Sequence, residues 1–102
     1  MWIKEIQLKN FRNYKEEKIK LNKNINILYG ENAQGKTNII ESIFLCSMGK
    51  SFRAKKDKEM IKINEDICSV EVEYEKSDRE GKIKIEIGNK KNIFINEIKI
   101  KK

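Results

Sequence analysis

Residues 25–48 read INILYGENAQGKTNIIESIFLCSM, and this stretch decides the fold of the chain. Its first five residues are mostly apolar, as in a strand that is buried on both faces. Residues 30–37 then match the pattern G-x-x-x-x-G-K-[ST] at every fixed position. A stretch with helical periodicity follows at once. The sequence therefore predicts a Walker A phosphate loop between a strand and a helix, which is the setting that this motif requires.

The residue types of this loop suit nucleotide phosphates. Gly30 and Gly35 lack a β-carbon, so the backbone can turn sharply and come close to a phosphate. Lys36 would reach the β- and γ-phosphates, and the Thr37 hydroxyl would bind Mg²⁺. An ordinary glycine-containing turn before a helix is the alternative, but it would not need every fixed position of the motif. The residues predicted to contact the nucleotide are Gly30, Glu31, Asn32, Ala33, Gln34, Gly35, Lys36 and Thr37.

Length and composition limit the number of domains and the kind of binding partner. A chain of 102 residues has room for one small domain. Its net charge of +7 indicates a polyanionic partner such as DNA. However, twenty lysines stand against three arginines, and the chain lacks proline and histidine. The charge therefore fits a biased background composition better than a surface specialised for nucleic acid.

The cysteines and the terminal segments indicate where the protein works. Cys46 and Cys68 are isolated, with no CxxC spacing and no histidine in the chain, so the sequence predicts no metal site. Both fit small buried hydrophobic side chains in a reducing compartment. No segment resembles a signal peptide or reaches membrane-spanning length. We therefore expect a cytoplasmic protein without a membrane partner.

The rest of the chain predicts mainly antiparallel strands. Residues 2–21 favour a hairpin, and residues 67–101 alternate apolar and charged side chains as a meander with one solvated face. The helix, expected from Lys36 to about Met48, is predicted to bury one face and to expose the other. The side chains expected on the buried face are Ile39, Ile40, Ile43, Phe44 and Cys46. Those expected on the opposite face are Asn38, Glu41 and Ser42.

Residues 50–58 form a basic stretch around one aromatic residue. A solvated loop is one interpretation of this pattern. The alternative is a contact with nucleic acid or nucleotide, because cations near phosphates supply most of the affinity for DNA. The residues that would make the DNA contact are Arg53, Lys55, Lys56 and Lys58.

Three blocks of the sequence resemble the amino-terminal end of the RecF family. They are IKEIQLKNFRNY at 3–14, GENAQGKTNIIESIFL at 30–45 and GKSFR at 49–53. RecF proteins are bacterial recombination mediators with an ABC-type ATPase head, related to the SMC and Rad50 ATPases. A small kinase or a Ras-type GTPase would instead open with the phosphate-loop strand. One departure is Ala33, where many members of the family have glycine.

The resemblance implies a fold class and a cofactor. The fold is an α/β P-loop NTPase, more closely an α+β lobe similar to lobe I of ABC ATPases. In it a hairpin (2–21) precedes the Walker A strand–loop–helix (25–48) and the antiparallel strands (67–101). Residues 30–37 would hold ATP and Mg²⁺. In relatives the basic residue of the N-F-R element contacts the nucleotide, which implies this role for Arg12; a surface arginine in a hairpin link is the alternative.

The resemblance also implies a cellular function. Members of the family bind ATP and DNA, dimerise around ATP, and act with recombination mediators of the RecO and RecR type. By resemblance, this chain would take part in DNA replication, in recombinational repair at single-stranded or gapped DNA, and in the SOS response.

Two motifs of such ATPases are missing from the chain. No signature motif occurs, and no apolar run ending in acidic residues follows residue 48 as a Walker B strand would. We therefore expect residues 1–102 to form the amino-terminal part of a longer domain and to be unable to hydrolyse ATP alone, which leaves enzyme activity open. The alternatives are another ABC-type head of a DNA-repair or chromosome ATPase, and a truncated, non-catalytic module that binds nucleotide or DNA.

Overall fold

The computed structural model describes residues 2–21 and 33–100, with backbone alone for residues 33–36. The predicted strand at 25–29 and the first three residues of the motif lie outside this part. The described residues form one sheet with a helix packed against it. The element bounds are β1 Trp2–Phe11, β2 Tyr14–Lys20, α1 Ala33–Met48, β3 Cys68–Lys76, β4 Arg79–Ile87, β5 Lys91–Ile95 and β6 Ile98–Ile100, with one turn of 3-10 helix at Asp57–Met60.

All neighbouring strands of the sheet run antiparallel, in the order β2-β1-β3-β4-β5-β6. The predicted hairpin and meander are therefore confirmed. Tight turns explain the meander: Ser77, Asp78, Asn96 and Glu97 all have positive φ. Two such residues in succession form the turn whose twist matches that of a β-hairpin.

Strand β1 alternates imperfectly because its backbone is irregular at two points. Its pairing with β3 shifts by one residue between Ile3 and Glu5, which is the signature of a bulge. Asn10 has a φ of 52°, in the left-handed region. Ile3, before the bulge, packs against the core, and Ile6, after the bulge, is buried in the same core. An unbroken alternation would place Ile3 and Ile6 on opposite faces of the sheet, and the bulge brings them to the same face.

The core lies between the sheet and helix α1, which contacts β3 and β4. Both cysteines belong to it, as expected from their apolar neighbours, and burial raises the pKa of each thiol to about 12. The buried apolar side chains of the described residues are Ile6, Leu8, Phe11, Ile39, Leu45, Cys46, Met60, Cys68, Val70, Val72, Ile85 and Ile87.

The structure corrects the prediction for helix α1 in two respects. The helix begins at Ala33, three residues before the predicted start. More important, the three polar side chains assigned to the outer face are fully buried, whereas Ile40 is 41% exposed. The reason is that Asn38 and Glu41 face other polar groups of the protein, and not water. The helix ends at Met48, the predicted end, and is followed by Gly49 with a φ of 78°.

Candidate functional site: the start of helix α1 and an arginine–glutamate cluster

The Walker A motif runs into the first turn of helix α1. Its residues Gly30, Glu31 and Asn32 lie outside the described residues, and Ala33, Gln34, Gly35 and Lys36 are described by their helical backbone. The N–H groups of a first helical turn have no partner within the helix, and they carry the positive end of the helix dipole. The first turn of α1 contains no acidic residue to neutralise this end. The backbone here therefore fits a bound phosphate.

Arg12 approaches this helix from the turn between β1 and β2. Its Nε donates to Glu41 Oε1 at 2.8 Å and its Nη2 to Glu41 Oε2 at 2.7 Å, a bidentate ion pair. Its Nη1 donates to the backbone oxygen of Glu59 at 3.2 Å. The φ of Arg12 is 55°, a conformation that glycine or asparagine adopts more easily. The presence of an arginine here indicates that its side-chain contacts offset the free-energy cost of the positive φ.

Arg53 and Ser51 reach Glu41 from the other side, from the loop after α1. Arg53 Nη2 donates to Glu41 Oε1 at 2.9 Å and also to Oδ1 of Asn38. Ser51 Oγ donates to Glu41 Oε2 at 2.6 Å and accepts from the N–H of Arg53 at 3.0 Å. Asn38 donates to Oδ1 of Asn13 at 3.0 Å. One carboxylate thus joins the hairpin turn, the helix and the loop.

Glu41 is fully buried and nevertheless ionised. Burial alone would raise the pKa of its carboxyl, but hydrogen bonds from Arg12, Arg53 and Ser51 outweigh this penalty and lower the pKa to about 2. The hydrogen bond to Glu41 raises the pKa of Arg12. Two guanidinium groups face one carboxylate, so this arginine–glutamate cluster (Arg12, Glu41, Arg53) keeps one excess positive charge beside helix α1.

The structure separates the residues that the sequence grouped as a DNA contact. Arg53 is engaged in the cluster, with only 30% of its side chain exposed. Lys55 and Lys56 are exposed on the segment that leads into the 3-10 turn, and Lys58 is exposed within the turn itself. The structure therefore brings Arg53 together with Arg12 and the helix, and leaves the three lysines on the surface, outside the cluster.

Sequence reasoning missed Glu41, Ser51 and Asn38 as members of this site. One signal was present: Glu41 lies four residues after Thr37 and therefore on the same helical face, one turn further along. A second signal was the rarity of arginine. Two of the three arginines in a chain of twenty lysines meet at Glu41, where bidentate pairing needs a guanidinium group.

Within the part of the chain that the structure describes, no group of three or more histidine, cysteine, aspartate or glutamate side chains is arranged to hold a metal ion. A search of the same residues for a helix long and apolar enough to cross a membrane finds none.

Comparison with known proteins identifies the family. The sequence profile of a family described as an AAA domain matches residues 5–102. The chain belongs to this family. It is also 55% identical, over its whole length, to the DNA replication and repair protein RecF of Acetivibrio thermocellus. The resemblance to RecF is thereby confirmed. The chain spans 28% of the length of that relative.

Solved structures support the same assignment. The recombination mediator protein RecF with ATP, of the RecFOR pathway, superimposes with a TM-score of 0.89 at 39% identity, over 99% of this chain and 28% of that one. The SMC head domain from Thermotoga maritima superimposes over 99% of this chain and 39% of that one, with a TM-score of 0.69 at 20% identity. The latter shows the shared fold alone. The predicted fold class, a lobe of a RecF- and SMC-like ATPase head, is confirmed.

Proposed function

We propose that this chain is the ATP-binding amino-terminal lobe of a RecF-like protein that acts in DNA replication and recombinational repair. The observation that carries the proposal is the complete Walker A pattern in a chain matched along its whole length by RecF proteins, one of them solved with ATP. The unneutralised first turn of α1 and the excess positive charge of the arginine–glutamate cluster support it, because both favour an anionic ligand.

Each part of the site has a separate role in this proposal. The backbone N–H groups at the start of α1 bind phosphate oxygens, and Lys36 contributes a positive charge. The Thr37 hydroxyl holds Mg²⁺, which neutralises phosphate charge when it is bound. Arg12 reaches the nucleotide from the hairpin turn, and residues 30–32 complete the loop. Hydrolysis is assigned to parts of the full protein that carry a Walker B acid and a signature motif, so the 102-residue chain alone should not turn over ATP.

The wider assignments follow from the RecF resemblance. The full protein would bind single-stranded or gapped DNA in an ATP-dependent way, dimerise around ATP, and act in the cytoplasm with mediators of the RecO and RecR type, including in the SOS response. A head of another ABC-type DNA-repair or chromosome ATPase is the second candidate. The similarity to an SMC head favours it only at the level of fold.

The decisive test is the Lys36→Ala variant. Lys36 provides the side-chain charge of the phosphate loop. Its removal should weaken ATP binding by at least about a hundredfold, because both a charge-assisted hydrogen bond to phosphate and the longer-range attraction of the ammonium group are lost. Equilibrium dialysis with ATP and Mg²⁺ measures this. Lys76→Ala, at the exposed end of β3, is the matched control and should bind ATP like the parent protein. Equal ATP affinity in both variants would exclude the phosphate-loop assignment.

DNA binding is tested on the accessible lysines. Replacing Lys55, Lys56 and Lys58 together by glutamine should lower the slope of log affinity against log salt by up to about three for duplex DNA, since each phosphate contact contributes about one. Fluorescence anisotropy at several salt concentrations gives the slope. A triple change of Lys15, Lys18 and Lys20 on strand β2 is the control, because it removes the same net charge from another edge. If the salt slope falls by the same amount in both triple variants, the net charge of the protein explains the DNA binding, and the three lysines are not a specific DNA contact.

A further inference from the structure

We propose that Glu41 is a positioning residue of the nucleotide site, and that it acts by holding Arg12 of the hairpin turn and Arg53 of the following loop in one fixed arrangement beside α1. The proposal rests on the proposed nucleotide binding. It assigns to the site a residue that neither contacts phosphate nor belongs to the Walker A pattern.

The first argument is the saturation of the carboxylate. Each oxygen of Glu41 accepts two hydrogen bonds: Oε1 from Arg12 Nε and Arg53 Nη2, and Oε2 from Arg12 Nη2 and Ser51 Oγ. An ionised carboxylate has about four acceptor positions. Glu41 therefore has no capacity left for a further donor, and its geometry is determined completely by the groups it holds.

The second argument is that stability alone does not require such a cluster. Buried ion pairs cost so much desolvation that well-packed apolar side chains of similar volume stabilise a core as well or better. Apolar side chains that replaced Glu41, Arg12 and Arg53 together could fill the same space without this desolvation penalty. The charged arrangement therefore indicates selection for the location of the guanidinium groups.

The third argument is the position of the two arginines. Arg12 has positive φ, a strained state for a residue with a long side chain, and its N–H is bonded to Met60 O at 2.7 Å. Arg53 bonds Asn38, which directly follows Thr37 at the end of the motif. The two arginines contact helix α1 in its second and third turns, at Asn38 and Glu41, and together they carry one more positive charge than Glu41 neutralises. Glu41 balances one of the two, and a nucleotide phosphate would balance the other.

The Glu41→Gln variant separates positioning from simple electrostatics, because the two predict changes of opposite sign. Glutamine has the size of glutamate but no charge, so the local charge rises from one excess positive charge to two. If the cluster only supplied positive potential, ATP would bind more tightly. If Glu41 positions the arginines, ATP should bind about tenfold or more weakly, because an amide offers the arginines fewer acceptor positions and adds donors that face their N–H groups.

Two further variants exclude a merely structural effect. Ser42→Ala changes the next buried residue of the same helix, whose hydroxyl bonds only Ile39 O among the described residues and contacts neither arginine. It should leave ATP affinity unchanged even if it lowers the thermal midpoint. Glu41→Asp keeps the charge on a shorter side chain and should restore part of the affinity. Should Glu41→Gln fail to fold, Glu41→Asp replaces it: aspartate keeps the charge, but its shorter side chain cannot hold both guanidinium groups at the same distances, so ATP should still bind more weakly than to the parent protein.

The outcomes distinguish this proposal from the proposed function. ATP affinity equal to or above that of the parent protein in folded Glu41→Gln, or in Glu41→Asp where Glu41→Gln does not fold, would overturn the positioning role while leaving nucleotide binding intact. A parent protein that does not bind ATP, or that binds it as well with Lys36→Ala, would overturn the proposed function itself. Both measurements use equilibrium dialysis with ATP and Mg²⁺, with circular dichroism as the check on folding.

Discussion

Two regions of this molecule are rich in ion pairs, and they differ in almost every physical respect. On the outer face of the sheet, Lys82 lies 3.5 Å from Glu71 and Lys18 lies 3.9 Å from Glu5, with the lysine side chains 42% and 58% exposed. In the arginine–glutamate cluster, Arg12 and Arg53 approach a carboxylate with 0% exposure at 2.7 and 2.9 Å. Length alone does not separate the two regions, since the exposed Lys4–Glu80 pair of the sheet is also short; what separates them is the burial of the carboxylate.

The difference shows what charge does in each place. Exposed pairs gain little in water, since the solvent screens them and the long side chains lose entropy. They suit the alternating strands, where glutamate and lysine oppose each other at Glu71–Lys84 and Glu73–Lys82, and they keep this face polar. A buried carboxylate, in contrast, is tolerated only with its partners present. Charge on the sheet therefore promotes solubility, and charge in the cluster fixes geometry.

The largest effect that tests this comparison should come from Arg12→Ala. The change leaves Glu41 buried with only Arg53 and Ser51 as donors, and breaking a buried ion pair costs about 3–5 kcal/mol. Urea unfolding followed by circular dichroism gives the difference. Arg79→Ala, which removes an exposed arginine at the start of β4, is the matched control and should change the free energy of unfolding by less than about 0.5 kcal/mol. Equal effects of the two changes would contradict the distinction.

Acid should destabilise the protein through the same carboxylate. Because the pKa of Glu41 is lowered from 4.5 to about 2 on folding, its contribution is present above pH 4.5 and is lost as the pH falls towards 2. The size of the contribution is about 3 kcal/mol, from about 1.4 kcal/mol for each pH unit between the two values. Urea midpoints measured between about pH 5 and pH 2 should fall more steeply for the parent protein than for Glu41→Gln. Parallel curves would show that Glu41 has a normal pKa.

The strands and their turns could be predicted from the sequence because each depends on local patterns. Alternation of apolar and charged side chains with a period of two predicts the meander over residues 67–101. The bulge of β1 could not be predicted in the same way, since it depends on pairing with β3, more than sixty residues away along the chain. Local periodicity describes a strand or helix by itself, and a bulge is a property of two strands.

The error at Glu41 has a similar cause. A polar residue on an amphipathic helix normally faces water, and this rule assigned Asn38, Glu41 and Ser42 to the outer face. The burial of Glu41 depends on Arg12 and Arg53, which lie 29 and 12 residues away in sequence, and Asn38 also bonds Arg53. Sequence periodicity contains no information about such partners. The Walker A pattern, in contrast, is contiguous, so a nucleotide site can be proposed from the sequence, whereas the arginine–glutamate cluster cannot.

The smallest expected effect belongs to the exposed pair on the sheet, and it completes the comparison. A double-mutant cycle with Glu71→Gln and Lys82→Gln should give a coupling energy of about 0.2–1 kcal/mol, as is usual for exposed pairs. Raising the salt concentration to about 0.5 M should remove most of it, because the Debye length then falls below about 5 Å. The same cycle with Glu41→Gln and Arg12→Gln should give a several-fold larger coupling that persists in salt, since solvent ions do not reach a buried carboxylate. If the two cycles respond equally to salt, burial is not what distinguishes the two regions.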